Sequence, residues 1–362
     1  TLDDKTLTSS LSNNVTSATY CTTTTNICEP TTSTTITNNS YTVELEENEQ
    51  NQMVCTKLNG TSKVICSIGL EIKDPCGEAC QTILASENAP TGQTIDWTGK
   101  TSYYYIGNPN NWLQFAGFYW RIIRINGDGS IRMIYQGVAD SDKPDSSNET
   151  GTGTQIGTSQ FNSSYNNKTY VGLVYNTSSQ HGYGTNSTIM NTLNTWYNNN
   201  LASYETDYID TGTGFCSDRN MASGYNWSSN VVYYAPYDRD MTGSLQCNSE
   251  DILSKDNGKI QNSIGLLTSD EAVSTGNTQY TPNIESYLYT GEYYWTMSPY
   301  WSNSVDARVF VVASSGTLGN LSVNFATLDV SVGIRPVINI CSNVQLTGTG
   351  SQNNPFKVVG AN

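Results

Sequence analysis

Few side chains in this 362-residue sequence have the type and spacing of enzyme machinery. The single histidine, His181, sits in the glycine-flanked "SQHGYG" and reads as a surface loop residue rather than a catalytic base. "NGDGS", residues 126–130, begins like a calcium-binding loop, but no acidic residue closes it at the EF-hand position. It reads instead as a hairpin turn, because Asn-Gly and Asp-Gly tolerate positive φ. The acid pairs Glu250–Asp251 and Asp270–Glu271 are expected as solvated surface and as the first turn of a helix. No nucleophile elbow, phosphate-cradling glycine loop or His-Glu-x-x-His motif occurs. The reading is of a protein without catalytic residues, metal ligands or cofactor.

The cysteines carry a different chemistry. Nine occur, at 21, 28, 55, 66, 76, 80, 216, 247 and 341, and none forms the paired CxxC of a zinc ribbon. In "VCTKLNGTSKVIC", pairing of the flanks about Gly60–Thr61 sets Cys55 opposite Cys66, where a cross-strand bridge forms. Cys21 and Cys28 enclose the short polar loop "TTTTNI", and Cys216 and Cys247 are assigned to each other. Local pairs of this kind suit an oxidising compartment, so the chain is expected to be extracellular or on a bacterial cell surface. Cys76 and Cys80 would be neighbours of poor bridging geometry on a regular helix, which leaves partners elsewhere open. Cys341 is left over.

Composition narrows the partners. Only 14% of residues are charged and the formal net charge is −15, a field that repels phosphate backbones and anionic lipid. Nucleic acid and membrane surfaces are therefore not expected as partners. No 18-residue apolar run or basic-then-apolar leader is present, so neither a membrane span nor a signal peptide is expected. Tyrosine is abundant, with 24 copies, many in "SYYYIG", "VVYYAPY" and "GEYYWTMSPYW". Half-buried strands favour aromatics, and most of these tyrosines fit that account. Tyr, Trp, Ser, Gly and Asn together are also the composition of binding loops, where rigid amphipathic rings give contact area at low entropy cost.

The elements that would hold such loops follow from pattern. Residues 1–88 are Thr- and Asn-rich with short β-prone runs, expected as a disulfide-stapled β domain or stalk that ends in a short helix before Pro90. From there to 362 a second domain is expected. "WRIIRI" and "IRMIY" alternate as half-buried antiparallel strands around the "NGDGS" turn. "STIMNTLNTWYNNNLASY" has helical spacing with Ser187 or Thr188 as cap, and "LTSDEAVS" opens a second helix with Thr268 and Glu271 at capping-box spacing. "ARVFVVA" and "GIRPVINI" are strands, and Arg335 within the latter is expected to be at least partly buried with a carboxylate or several carbonyl partners. The fold class is α+β.

Several phrases, "FAGFYWRIIRINGDGSIRMIY", "GLLTSDEA", "YLYTGEYYWTMSPY", "ARVFVVASSG", "VGIRPVINI" and "TGTGSQNNPFKVV", are similar to those of a group of surface proteins from gut-dwelling Firmicutes and Mollicutes relatives. The resemblance covers about residues 95–362. It implies a C-type-lectin-like domain in its formylglycine-generating-enzyme-like form, related to the targets of diversity-generating retroelements. The domain has only Cys216, Cys247 and Cys341, without the reactive pair of the formylglycine-generating enzymes, which argues against oxidase activity. A pilus-like or fibre subunit is the structural alternative, with possible self-assembly.

The resemblance also places a ligand face for an extracellular protein or glycan on residues 300–310 and 318–331. Its expected residues are Tyr300, Trp301, Asn303, Asp306, Arg308 and Phe310 from the first run, and Leu318, Asn320, Leu321, Asn324, Phe325, Leu328 and Asp329 from the second. The second run shows no strand or helix period, so its apolar residues are expected to point at a partner.

Overall fold

The computed structural model describes residues 76–361 except 239–241 and 326–331, and, before them, the backbone of four strands between residues 33 and 71. The chain divides into two compact units, Thr1–Pro75 and Cys76–Asn362. In the first, β1 (Ser33–Thr37), β2 (Thr42–Glu47), β3 (Gln52–Leu58) and β4 (Leu70–Glu71) form one antiparallel sheet in chain order. The side chains that would form the Cys21–Cys28 and Cys55–Cys66 bridges lie outside the described residues.

The second unit begins at 76 rather than 89, because the first helix belongs to its core. Ala79, Cys80 and Ile83 of the helix Glu78–Leu84 are buried there, and the Ala79 N–H donates to the Ser342 carbonyl at 2.9 Å. Cys76 is bonded to Cys80, with Cα atoms 5.1 Å apart. The expectation that this spacing bridges poorly is thereby corrected. Cys76 precedes the helix, and extended backbone at Gly77 swings it out of helical register.

The strands β5 (Gly92–Ile95), β6 (Thr101–Tyr104), β7 (Trp112–Phe115), β8 (Phe118–Ile125) and β9 (Ile131–Val138) come next. A long irregular region holds only short strands: β10 (Val174–Tyr175), β11 (Thr185–Asn186), β12 (Phe215–Cys216), β13 (Val232–Tyr233) and β14 (Ile252–Leu253). Then follow β15 (Tyr294–Ser302), β16 (Ala307–Val312), β17 (Leu318–Ser322), β18 (Val337–Ile340), β19 (Leu346–Thr347) and β20 (Phe356–Val358). The larger sheet has the order β18-β9-β8-β7-β20-β19, with β6 joined to β8 and β5 to β6. The smaller one has the order β13-β15-β16-β17. With the helices, this is an α+β architecture.

The β8–β9 hairpin turns at "NGDGS" as its turn chemistry dictates, with Gly129 at φ +86° and the Asn126 N–H donating to Ser130 O at 2.8 Å. Its strands are buried along almost their whole length rather than on one face. The polar positions that suggested a wet face are arginines taken into the interior with partners. Arg124 pairs with Glu271 at 3.2 Å and Asp96 at 3.4 Å, Arg132 pairs with the same Glu271, and Arg121 stacks 4.3 Å from the Trp112 ring centroid.

Both expected helix starts are present. Ser187 caps Thr188–Asn200 by accepting from the Met190 N–H, and Thr268 with Glu271 closes a capping box on Ser269–Ser274. Glu271 is thus a first-turn acid, but it is buried under the two arginines rather than solvated. Burial alone would raise its pKa. Arg132, Arg124 and the Thr268 N–H outweigh that and hold the carboxyl below its ordinary value.

Cys216 and Cys247 are bridged, with Cα atoms 5.8 Å apart. Cys341 is free, and burial, with Asp210 nearby, pushes its thiol up to about 11. Among the described residues no helix is long and apolar enough to cross a membrane.

Candidate functional site: an aromatic face beside an amide-lined groove

The β15–β16 hairpin organises the surface of the smaller sheet. Its turn is tied by Asn303, whose side-chain oxygen accepts from the N–H groups of Val305 and Asp306, both at 2.8 Å. Pairing runs Pro299↔Val309 and then Trp301↔Arg308, so Tyr300 is an extra residue in β15. Such a bulge breaks the two-residue alternation, and both Tyr300 and Trp301 are left half-buried.

Tyr233 is the hub of the face. It pairs with Trp301 across β13 and β15. Its ring centroid lies 4.4 Å from Tyr237, 5.3 Å from Tyr225, 5.8 Å from Tyr300 and 6.4 Å from Trp301. These are the tilted and edge-on contacts that aromatic quadrupoles favour. Tyr225 and Tyr237 are exposed, as are Val231 and Val305 at the margins.

A polar strip borders the rings. The Arg308 guanidinium lies 5.7 Å from the Trp301 ring centroid, donates to Asp306 at 2.8 Å, and reaches Asn320 at 3.3 Å. The Ser322 hydroxyl sits between the Asp306 carboxylate and the Asn324 amide oxygen. Cross-strand pairing explains the order, since Arg308 faces Ser322 and Phe310 faces Asn320.

Of the expected ligand residues, Tyr300, Trp301, Asp306, Arg308, Asn320 and Asn324 come together here. Phe310 is buried beneath Tyr300 at 5.0 Å, a floor to the face rather than part of it. The second run is not an unpatterned loop throughout. Leu318–Ser322 is a strand, Leu318 and Val323 are buried, and Leu321 and Phe325 pack against the core. Leu318 and Leu321 lie on opposite faces of β17, and both meet the core, so apolar packing covers part of each face of this edge strand. Leu328 and Asp329 lie outside the described residues. The hub residue Tyr233 and its neighbours Tyr225 and Tyr237 were missed. Tyr233 and Tyr237 had only the tyrosine cluster "VVYYAPY" as a signal, which strand propensity accounts for equally well, and Tyr225 lies outside that cluster.

Asn303 also opens a second feature. A groove of about 180 Å³ is lined by Asn166, Asn167, Lys168, Ser229 and Asn230 together with Asn303 and Ser304 of the hairpin turn.

His181 lies elsewhere and is not a free surface side chain. Its Nδ1 is 2.9 Å from the Asp251 carboxylate, which is itself buried and accepts from the Ser217 hydroxyl and the Arg219 N–H. Asp251 is therefore a buried clamp between loops, not the solvated acid expected from the sequence. Comparison of the chain with protein-family models, with curated proteins and with solved structures returned no match.

Proposed function

We propose that the chain is an extracellular or cell-surface binding protein, without catalytic activity, whose ligand docks on the aromatic face around Tyr233 and Trp301. The observation that carries this reading is the partly exposed ring cluster itself. Five aromatic side chains from three separated segments touch one another at a surface, bordered by Arg308 stacked on Trp301. Tyr, Trp and Arg are the residues on which binding energy concentrates when they are clustered and rimmed by polar groups. A C-type-lectin-like scaffold is the finer fold assignment that goes with it, supported by the phrases between residues 95 and 362 and by long irregular segments carried on antiparallel strands. The disulfide Cys216–Cys247 supports an oxidising location.

The test is a binding screen of the purified chain against arrayed glycans and extracts of cell-surface proteins, run beside the variants Trp301→Ser and Tyr237→Ser. A specific ligand lost in both variants, each still folded, supports the reading. Ligand capture untouched by either variant would overturn it.

A further inference from the structure

The groove at the β15–β16 turn has a chemistry narrower than the aromatic face beside it. Six of its lining residues are amides and hydroxyls: Asn166, Asn167, Ser229, Asn230, Asn303 and Ser304. Among the described residues no carboxylate lines it, which disfavours a hard cation, whose protein sites are usually anchored by carboxylates. The one charge among its described lining residues, the Lys168 ammonium, is turned onto the Trp227 and Ser229 carbonyls and lies 4.8 Å from the Trp227 ring centroid. That charge is largely spent within the chain, which disfavours an anion. An apolar ligand would strand the amides without partners. What remains is a small neutral molecule that both donates and accepts hydrogen bonds around its rim.

Two of the amides are fixed in advance. The Asn167 side-chain oxygen accepts from the Thr169 N–H, and that of Asn303 from Val305 and Asp306, so each presents its NH₂ group in a set direction. Asn166 and Asn230 are exposed, and among the described residues their side chains have no hydrogen-bond partner. Rigid donors beside adaptable amides suit hydroxyl groups, each of which donates once and accepts through two lone pairs.

The neighbouring rings extend the match. Val232 pairs with Ser302 and Tyr233 with Trp301, so the aromatic face begins two residues along β15 from Asn303. At about 3.3 Å per residue that is about 7 Å, roughly one sugar residue away. The weakly positive C–H face of a pyranose complements the negative face of an indole or phenol ring.

We propose that the groove is a subsite for one ring of a neutral saccharide, whose next residue stacks on the Trp301 side of the aromatic face. This rests on the reading of that face as a ligand surface. The experiment probes the full chain with a printed array of neutral, sialylated and sulfated oligosaccharides. A double variant Asn166→Ala/Asn230→Ala is run beside it, both positions being exposed. Binding confined to neutral members, weakened about tenfold or more in the double variant with an unchanged melting temperature, is expected. Binding only to charged members, or binding indifferent to the double variant, overturns the proposal. A blank array together with Trp301-dependent capture of a surface protein overturns the saccharide while leaving the binding-face reading intact. A blank array with no capture removes both.

Discussion

Arg335 holds its guanidinium 4.8 Å from the ring centroid of Tyr294, and both side chains are fully buried. Among the described residues no carboxylate is a hydrogen-bond partner of Arg335. The charge is met by the carbonyls of Tyr135 at 3.2 Å and Leu288 at 3.3 Å, by the Gln136 side-chain oxygen, and by the ring. Burial pushes the Tyr294 phenol up to about 12, so it stays a neutral donor to the same Leu288 carbonyl at 2.8 Å. Arg335→Ala should therefore leave several buried acceptors unpaired and a cavity, costing about 3–5 kcal/mol in urea unfolding. Arg335→Lys should recover only part, since a compact ammonium does not span a forked set of acceptors. A loss below about 0.5 kcal/mol for the alanine variant would contradict this account.

Glu271 predicts how stability responds to acid. Burial raises its pKa, but Arg132 and Arg124 lower it further, so its folded value lies below the unfolded one. For such an acid the stabilisation is complete above the unfolded pKa, about 4.3, and is lost as pH falls through the folded value. Unfolding free energy measured from pH 6 down should thus fall below about pH 4.5. Glu271→Gln should flatten its share of that slope and cost about 3–5 kcal/mol at pH 7, because two buried arginines lose their common carboxylate. An unchanged acid limb in the variant would remove Glu271 from the explanation.

The two bridges of the second unit should differ in weight. Cys216 and Cys247 are 31 residues apart, whereas Cys76 and Cys80 are four apart. In the loop-entropy account, removing the first by paired serine substitution should cost about 3.5 kcal/mol and removing the second about 2 kcal/mol. Denaturant midpoints of the two double variants give the order directly. A larger loss from the short loop would show that the Cys76–Cys80 bridge acts through native packing around Ala79 and Ile83 instead.

What the sequence disclosed was mostly local. The "NGDGS" turn, the Ser187 cap and the Thr268–Glu271 box each lie within a few residues, where backbone chemistry decides the outcome. The buried ends of Glu271 and Asp251 were hidden because their partners are remote, Arg124 and Arg132 for one and His181 for the other. β17 was illegible for a related reason. Its five residues include Gly319, Asn320 and Ser322, and only pairing with β16 reveals which side is covered. The aromatic hub needed three segments, around 225, 233–237 and 300–301, brought together by one strand pairing that no spacing along the chain announces.

That hub yields the sharpest division between surface and core. Trp301 and Tyr237 are partly exposed rings of the face, while Phe310 and Leu318, from the two runs expected to form the ligand face, are buried. Trp301→Ser and Tyr237→Ser forfeit edge contacts with Tyr233 and its neighbours, about 0.5–1.5 kcal/mol each. Phe310→Ala and Leu318→Ala each empty a packed site, costing about 2–5 kcal/mol. Urea unfolding of the four variants should separate them into these pairs, with ligand capture abolished in the first pair at nearly full stability. Should Trp301→Ser unfold as easily as Phe310→Ala, the indole is supporting the sheet, and the ligand must dock elsewhere.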